Sequence, residues 1–229
     1  MSEQKTSIFE VLVTVLLGLG ALGGGWASYQ SSQWGGTATE DYGKAATTAT
    51  RASTMFNHAV AIVNRDSALD IQAKSLIVST MTSTDPVVKL RDGTIAKYLY
   101  TQQMTKEGYL ALKYPAAYHT KDDDVAMKFT DAELAAGIDN ELDDAYRDQL
   151  MKPAHDKFGE ADQVFAEGQK VSGTSTQFGL DGVFFTITLF LGGMALVLHS
   201  HIRWGFLVTG YSALSYAAVK LFSLPWYHA

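Results

Sequence analysis

Three groups of residues in this 229-residue chain have types and spacings that could do chemistry. Gly18, Gly20 and Gly23 stand in the G-x-G-x-x-G spacing of a dinucleotide-binding turn, and Glu40 and Asp41 follow about where a ribose-binding acid would sit. His199 and His201 form an H-x-H that on a turn could share a metal ion, though on a helix the two rings would diverge by about 200°. Asp122 to Asp124 and the run "DNELDD" from Asp139 to Asp144 have the acid density of a cation site. A fourth candidate is a lone acid, Asp66, at an apolar position of a helical repeat.

Each grouping also has a plainer reading. The dinucleotide turn needs a strand before it and a helix opening after it, and "SIFEVLVTVL" runs into the glycines without a turn signal. The acid runs lack the glycine of a calcium loop and read as solvated loop and helix face. His199 and His201 beside Arg203 suit a membrane interface, where anionic headgroups would meet them. None of the six histidines belongs to an H-E-x-x-H or E-x-x-H pair. No G-x-S-x-G or Walker pattern occurs, and the absence of cysteine excludes thiolate chemistry and disulfides. The expectation is therefore no enzyme, no cofactor and no nucleotide.

Charge is unevenly placed. Outside residues 31–175 the acids Glu3, Glu10 and Asp181 balance Lys5, Arg203 and Lys220, so the net charge of −6 resides in the middle of the chain. An acidic, finely mixed surface gives no footing for nucleic acid, which wants a basic patch.

The elements carrying these residues read as three apolar spans around a polar body. Residues 1–7 form a tail, and 8–30 are the first transmembrane helix, uncharged from Val11 to Ser28. A cleaved signal peptide is the rival reading, but the apolar run is longer than such a segment needs. Residues 179–200 and 204–222 are the second and third spans, joined by a tight turn at 201–203 and followed by a tail at 223–229. Gly20 with Gly24, and Gly205, Thr209, Ala213 and Ala217, place small residues four apart, the spacing that lets helix backbones approach in lipid. Trp26, Tyr29, Trp34, Trp204 and Trp226 stand near span ends, where aromatic rings favour the headgroup level, with Arg203 as a basic anchor. Lys5 and Arg203 share one side, which predicts a cytoplasmic N-terminus and a periplasmic or extracellular middle domain.

Residues 31–178 read as helical throughout. Ala52, Met55, Ala59, Ile62, Leu69, Ala73 and Leu76 alternate spacings of three and four, with Asp66 in the missing place. A polar group in such a seam fixes register or, with several copies round an axis, lines a cavity. The polar stretch "SSQWGGTATED" leaves open whether this helix continues the first span. Thr84 or Asp85 with Pro86 starts a helix that "RDG" at 91–93 should break; another should run from Thr94 to Lys113. "TDAE" at 130–133 fits a capping box, Leu134, Ile138, Leu142 and Ala145 mark one face after it, Pro153 should kink or restart the chain, and "SGTSTQFG" should be a flexible joint. The fold class predicted is an all-α integral membrane protein, three transmembrane helices plus a long helical-bundle or coiled extramembrane domain.

Trp26, Tyr29, Gln30 and Trp34 form a W-x-x-Y-Q-x-x-x-W motif. With it the chain resembles an uncharacterised bacterial three-span membrane protein family that has an exposed helical domain after the first span. The resemblance implies a bacterial inner membrane location and implies no chemistry. The function expected is structural: a protein of the lipid bilayer that self-associates as a homo-oligomer or joins other membrane-complex subunits. The alternative is a homo-oligomeric cation channel with an acidic vestibule, in which Thr186 and Thr188, or Ser212 and Ser215, would face water.

Overall fold

A computed structural model describes residues 7–198 and 201–227. The described residues contain seven α-helices, one π-helical turn and one 3₁₀ turn, and no strand. The helices are α1 (Ile8–Thr82), α2 (Pro86–Tyr98), α3 (Lys106–Ala111), α4 (Asp123–Ala126), α5 (Asp131–Ala136), α6 (Asp144–Val197) and α7 (Ile202–Ser223). The chain divides into two compact units, Met1–Ala46 with Ala161–Ala229, and Thr47–Glu160. Among the described residues, α1 and α6 contain stretches long and apolar enough to cross a membrane. Three such helices were expected. The missing one is α7, which has the length, but its Gly, Ser, Thr, Tyr and Lys220 residues dilute the apolar run.

Helix α1 answers the question left by "SSQWGGTATED": it is one helix from Ile8 to Thr82. Its polar stretch is helical with its hydroxyls bonded back onto the helix's own carbonyls, so they do not compete for a turn. Thr39 Oγ1 donates to the Gly35 carbonyl at 2.9 Å and Thr37 Oγ1 to the Gln33 carbonyl at 3.2 Å. The flexible joint expected at "SGTSTQFG" is likewise corrected. Those residues lie inside α6, where Thr176 Oγ1 bonds the Ser172 carbonyl at 3.0 Å. Nor does Pro153 restart the chain, because α6 runs through it.

In the first unit, α1, α6 and α7 pack around Phe9, Val13, Leu16, Phe178, Phe185, Leu207 and Leu214. In the second, α1 and the short helices enclose an aromatic core. Tyr100, Tyr109, Tyr114 and Phe129 are buried, with ring centroids of neighbours 4.9 to 6.4 Å apart. Asp85 caps α2 by accepting from Val87 N at 2.9 Å, and Pro86 fills the first turn, as the start signal predicts. The break expected at "RDG" is absent. Gly93 is buried against Thr80, and Asp92 is held by Ser79 and Arg91, so packing overrides the weak local propensity. The helix predicted from Thr94 to Lys113 is interrupted instead at a π-helical turn, Leu99–Gln103, and restarts at Thr105, which caps α3. Thr130 and Glu133 form the capping box as expected. The face predicted to follow it breaks up: α5 ends at Ala136, and Ala145 is exposed at the start of α6.

Candidate functional site

The first unit is held by glycines, and the contacts show which. A Cβ on Gly20 would sit 3.1 Å from Leu189 Cδ2, and one on Gly24 would sit 3.4 Å from Phe185 Cβ, so both predicted small residues face α6 of the same chain. The tightest approach was missed. A Cβ on Gly23 would fall 2.3 Å from the Phe185 ring, while Gly192 and Gly210 sit against Leu17 and Leu16. The bundle face of α7 is Leu207, Gly210, Leu214, Ala217 and Leu221. Of the stripe read from sequence, only Ala217 belongs to that face; Gly205 and Thr209 are exposed and Ala213 is half-buried. Gly18, Gly20 and Gly23 are helix interior, with no strand or loop to make a phosphate turn.

Aromatic rings gather at both ends of this bundle. At one, Trp26 packs with Tyr29 and Trp226 at 5.6 Å, and Trp34 meets Tyr227 edge-on at 5.7 Å. At the other, Trp204 meets Phe9 edge-on at 5.1 Å and the Arg203 guanidinium lies 4.4 Å over the same ring. From Phe9 to Trp26 the helix rises about 26 Å. Between the two ends large apolar side chains face outward on all three helices, including Leu22 at 74 %, Phe190 at 64 % and Val219 at 72 % exposure. His201 is exposed, and His199 lies outside the described residues, as do Lys5 and His228.

Among the described residues of this unit, three buried polar atoms have no hydrogen-bond partner: Gln30 Nε2, Trp34 Nε1 and Asp181 Oδ2. Asp181 at the mouth of the second span reads from sequence as an acid reaching water, but only 4 % of it is exposed. Glu10 does reach solvent, where it accepts from Ser7 N at 3.1 Å at the start of α1.

In the second unit Asp66 is the hub. It is fully buried, and its Oδ2 accepts from Tyr146 Oη at 2.7 Å and from the Thr105 hydroxyl, while Oδ1 accepts from Thr105 N at 3.3 Å and from the half-exposed Arg65 guanidinium at 3.5 Å. One carboxylate thus joins α1, the N-terminus of α3 and the first turn of α6. Gly108 is required beside it, since a Cβ there would lie 2.5 Å from Asp66 Oδ2. One turn along, Asp70 accepts from Tyr100 Oη at 2.8 Å and pairs with Lys74 at 2.9 Å. The predicted seam is corrected here. Ala52, Ala59, Asp66 and Ala73 are buried as expected, but the partner column is Val63, Asp70 and Ile77, one residue on from Ile62, Leu69 and Leu76. Met55 is exposed.

Burial raises the phenols of this core, Tyr114 to about 12 and Tyr100, Tyr109 and Tyr146 further, so all stay neutral donors. Asp92 is the opposite case. Arg91 Nε donates to it at 2.7 Å and Ser79 Oγ at 2.6 Å, and these bonds hold its carboxyl below the usual carboxylate range. A carboxyl depressed in the folded state stabilises fully above its ordinary value, about pH 4, and loses that contribution as pH falls towards the lower folded value. Asp92→Asn should therefore melt lower than the parent at pH 7, and the gap should narrow progressively as the buffer is taken below about pH 4. A gap that stays constant would refute this.

The acid runs are structural. Asp122 caps α4 by accepting from Asp124 N at 3.0 Å, and Asp143 accepts from Tyr146 N at 2.9 Å before α6. Among the described residues no three His, Asp or Glu side chains converge as metal ligands. An open cavity of about 480 Å³ beside Lys106, Glu107, Asp143 and Tyr146 presents both signs of charge and no nucleophile–base pair. No family model, curated protein or solved structure matches the chain. Function must be argued from the geometry alone.

The tyrosine core and Asp70 were not picked out from sequence. The only signal was the density of tyrosines from Tyr98 to Tyr118.

Proposed function

We propose that the chain is an integral membrane interaction protein whose first unit crosses the bilayer as three helices and whose second unit stands in water. The observation that carries this reading is the outward apolar girdle of α1, α6 and α7, closed at both ends by aromatic rings. A surface of that kind is costly in water and suits hydrocarbon about 30 Å thick. α7 crosses with the others because its inner face is packed against them, and its hydroxyls are satisfied locally: Thr209 bonds the Gly205 carbonyl at 2.9 Å and Ser212 the Val208 carbonyl at 3.0 Å.

The protein acts by assembling, with itself or as an accessory subunit of a membrane complex, in a bacterial inner membrane with the N-terminus cytoplasmic. Two surfaces support the assembly reading. Gly205 and Thr209 leave a small-residue face of α7 open to another helix. In the second unit, Ile71, Val78 and Met81 of α1 and Val87 and Leu90 of α2 are exposed on either side of one turn. The channel reading loses its acid, since Asp66 is enclosed by Thr105, Gly108 and Tyr146 and has no open face.

Membranes washed in alkaline carbonate should retain the protein; release into the supernatant would overturn the proposal. Because the chain has no cysteine, Thr209→Cys gives a single reporter. Disulfide-linked dimers in membranes, absent for a cysteine on the bundle face at Leu214, are the result expected for self-association.

A further inference from the structure

A small cavity opens between α6 and α7 in the first unit, with a volume of about 110 Å³ and with Asp181, Phe184, Tyr216 and Lys220 in its lining. About four waters would fill that space, at about 30 Å³ each. Asp181 is 4 % exposed and its Oδ2 has no donor, an arrangement that costs free energy unless a cation or hydrogen-bond donor completes it. Lys220 does not complete it: no ion pair joins the two side chains among those of the described residues. Phe184 and Tyr216 meet edge to face at 4.9 Å beside the acid, and aromatic faces attract cations. The cavity lies at the end of the bundle marked by Trp26, Trp34, Trp226 and Tyr227, with Leu224 also in its wall.

We propose that this cavity is a binding site for a phosphoethanolamine group, with Asp181 receiving the primary ammonium and Lys220 the phosphate. The inference rests on the membrane reading above, which puts this end of the bundle at headgroup depth and makes an aminophospholipid the natural source. A primary ammonium suits the site for two reasons. It carries three N–H donors for an acid that lacks one, and it is compact enough for 110 Å³. A trimethylammonium has no donor and more bulk. The lysine supplies the second half of the recognition, because a lone carboxylate would take any cation, whereas an acid and a base flanking one cavity select a zwitterion.

The test is native mass spectrometry of the full chain, released from detergent after exchange into mixtures of phosphatidylethanolamine, phosphatidylcholine and phosphatidylglycerol. The parent protein should retain phosphatidylethanolamine at least about tenfold over phosphatidylcholine, since loss of a charge-assisted hydrogen bond of about 1.5 kcal/mol or more corresponds to that ratio. Asp181→Asn should abolish the preference, and Lys220→Gln should weaken it while leaving helicity unchanged. Free phosphoethanolamine competing at millimolar concentration would assign the chemistry to the headgroup alone; failure to compete, with lipid still selected, would assign it to the intact lipid. Equal retention of all three lipids by the parent, or a preference that survives Asp181→Asn, overturns the inference. Carbonate extraction separates the two failures. A protein released by carbonate sinks the membrane reading and this site together, whereas an integral protein without headgroup preference sinks only this site.

Discussion

Asp66→Ala should cost the second unit about 3 kcal/mol or more, because it leaves buried hydrogen-bond donors without an acceptor. The substitution strands three buried donors, Tyr146 Oη, the Thr105 hydroxyl and Thr105 N, while the fourth partner, Arg65, is half-exposed and can bond water instead. Each orphaned donor is worth about 1 to 3 kcal/mol, and a shared network makes the sum less than additive. The readout is hydrogen exchange on the intact protein. Amides around Thr105 and Tyr146 should lose protection by about two to three orders of magnitude, whereas those of Leu12 to Gly25 should not change. Tyr146→Phe removes only one donor and should cost about 1 to 2 kcal/mol. Combining Tyr146→Phe with Asp66→Ala should add less than that, since the phenol has no acceptor left. Unchanged exchange in Asp66→Ala would mean that the carboxylate does not hold these helices.

The second large effect is expected at Gly23. Even an alanine there would place its Cβ 2.3 Å from the Phe185 ring, and that ring is buried on every side at 2 % exposure. Gly23→Leu should separate α1 from α6 and destabilise the bundle by about 3 kcal/mol or more, at or above the upper end for overpacking. Gly18→Leu and Gly25→Leu are the controls. Nothing lies within 4 Å of a Cβ at either position, so both should fall within about 0.5 kcal/mol of the parent. Unfolding in mixed micelles, followed by fluorescence of the four tryptophans, measures all three. Phe185→Ala should restore part of the loss in Gly23→Leu and destabilise on its own. If Gly23→Leu and Gly25→Leu behave alike, the packing assigned to this seam is wrong.

These two sites show unequally how much was legible beforehand. Glycines at fixed spacing in an apolar run announce a helix that packs closely; Gly20 and Gly24, read as a face for association, lie against α6 of the same chain. Which glycine bears the closest approach depends on where Phe185 sits along α6, and no feature of α1 encodes that. Asp66 was recognisable because a charge in an apolar column is conspicuous. Asp70 was not, because Leu69 satisfied the three-four pattern and took its place in the reading. Pattern alone prefers the leucine; the structure buries the acid because Tyr100 reaches it from the π-helical turn and Lys74 pairs with it one turn along α1. The same limit explains the π-helical turn at Leu99–Gln103 and the unbroken passage through "RDG". Both stretches carry contacts distant in sequence, Tyr100 to Asp70 in the turn and Gly93 against Thr80, which local propensity does not encode. All-helical character was legible throughout. Helix α7 is the intermediate case: its length and end residues mark it as a span in the sequence, while its apolar content falls short of that of α1 and α6.

The closeness of Gly108 to the Asp66 carboxylate has an evolutionary corollary. Positions 66 and 108 share one volume, so a methyl group at 108 requires a shorter residue at 66, and glutamate at 66 has nowhere to extend. Descendants of this sequence would keep the pair or exchange both members, and a lineage that altered one alone would carry an unstable second unit.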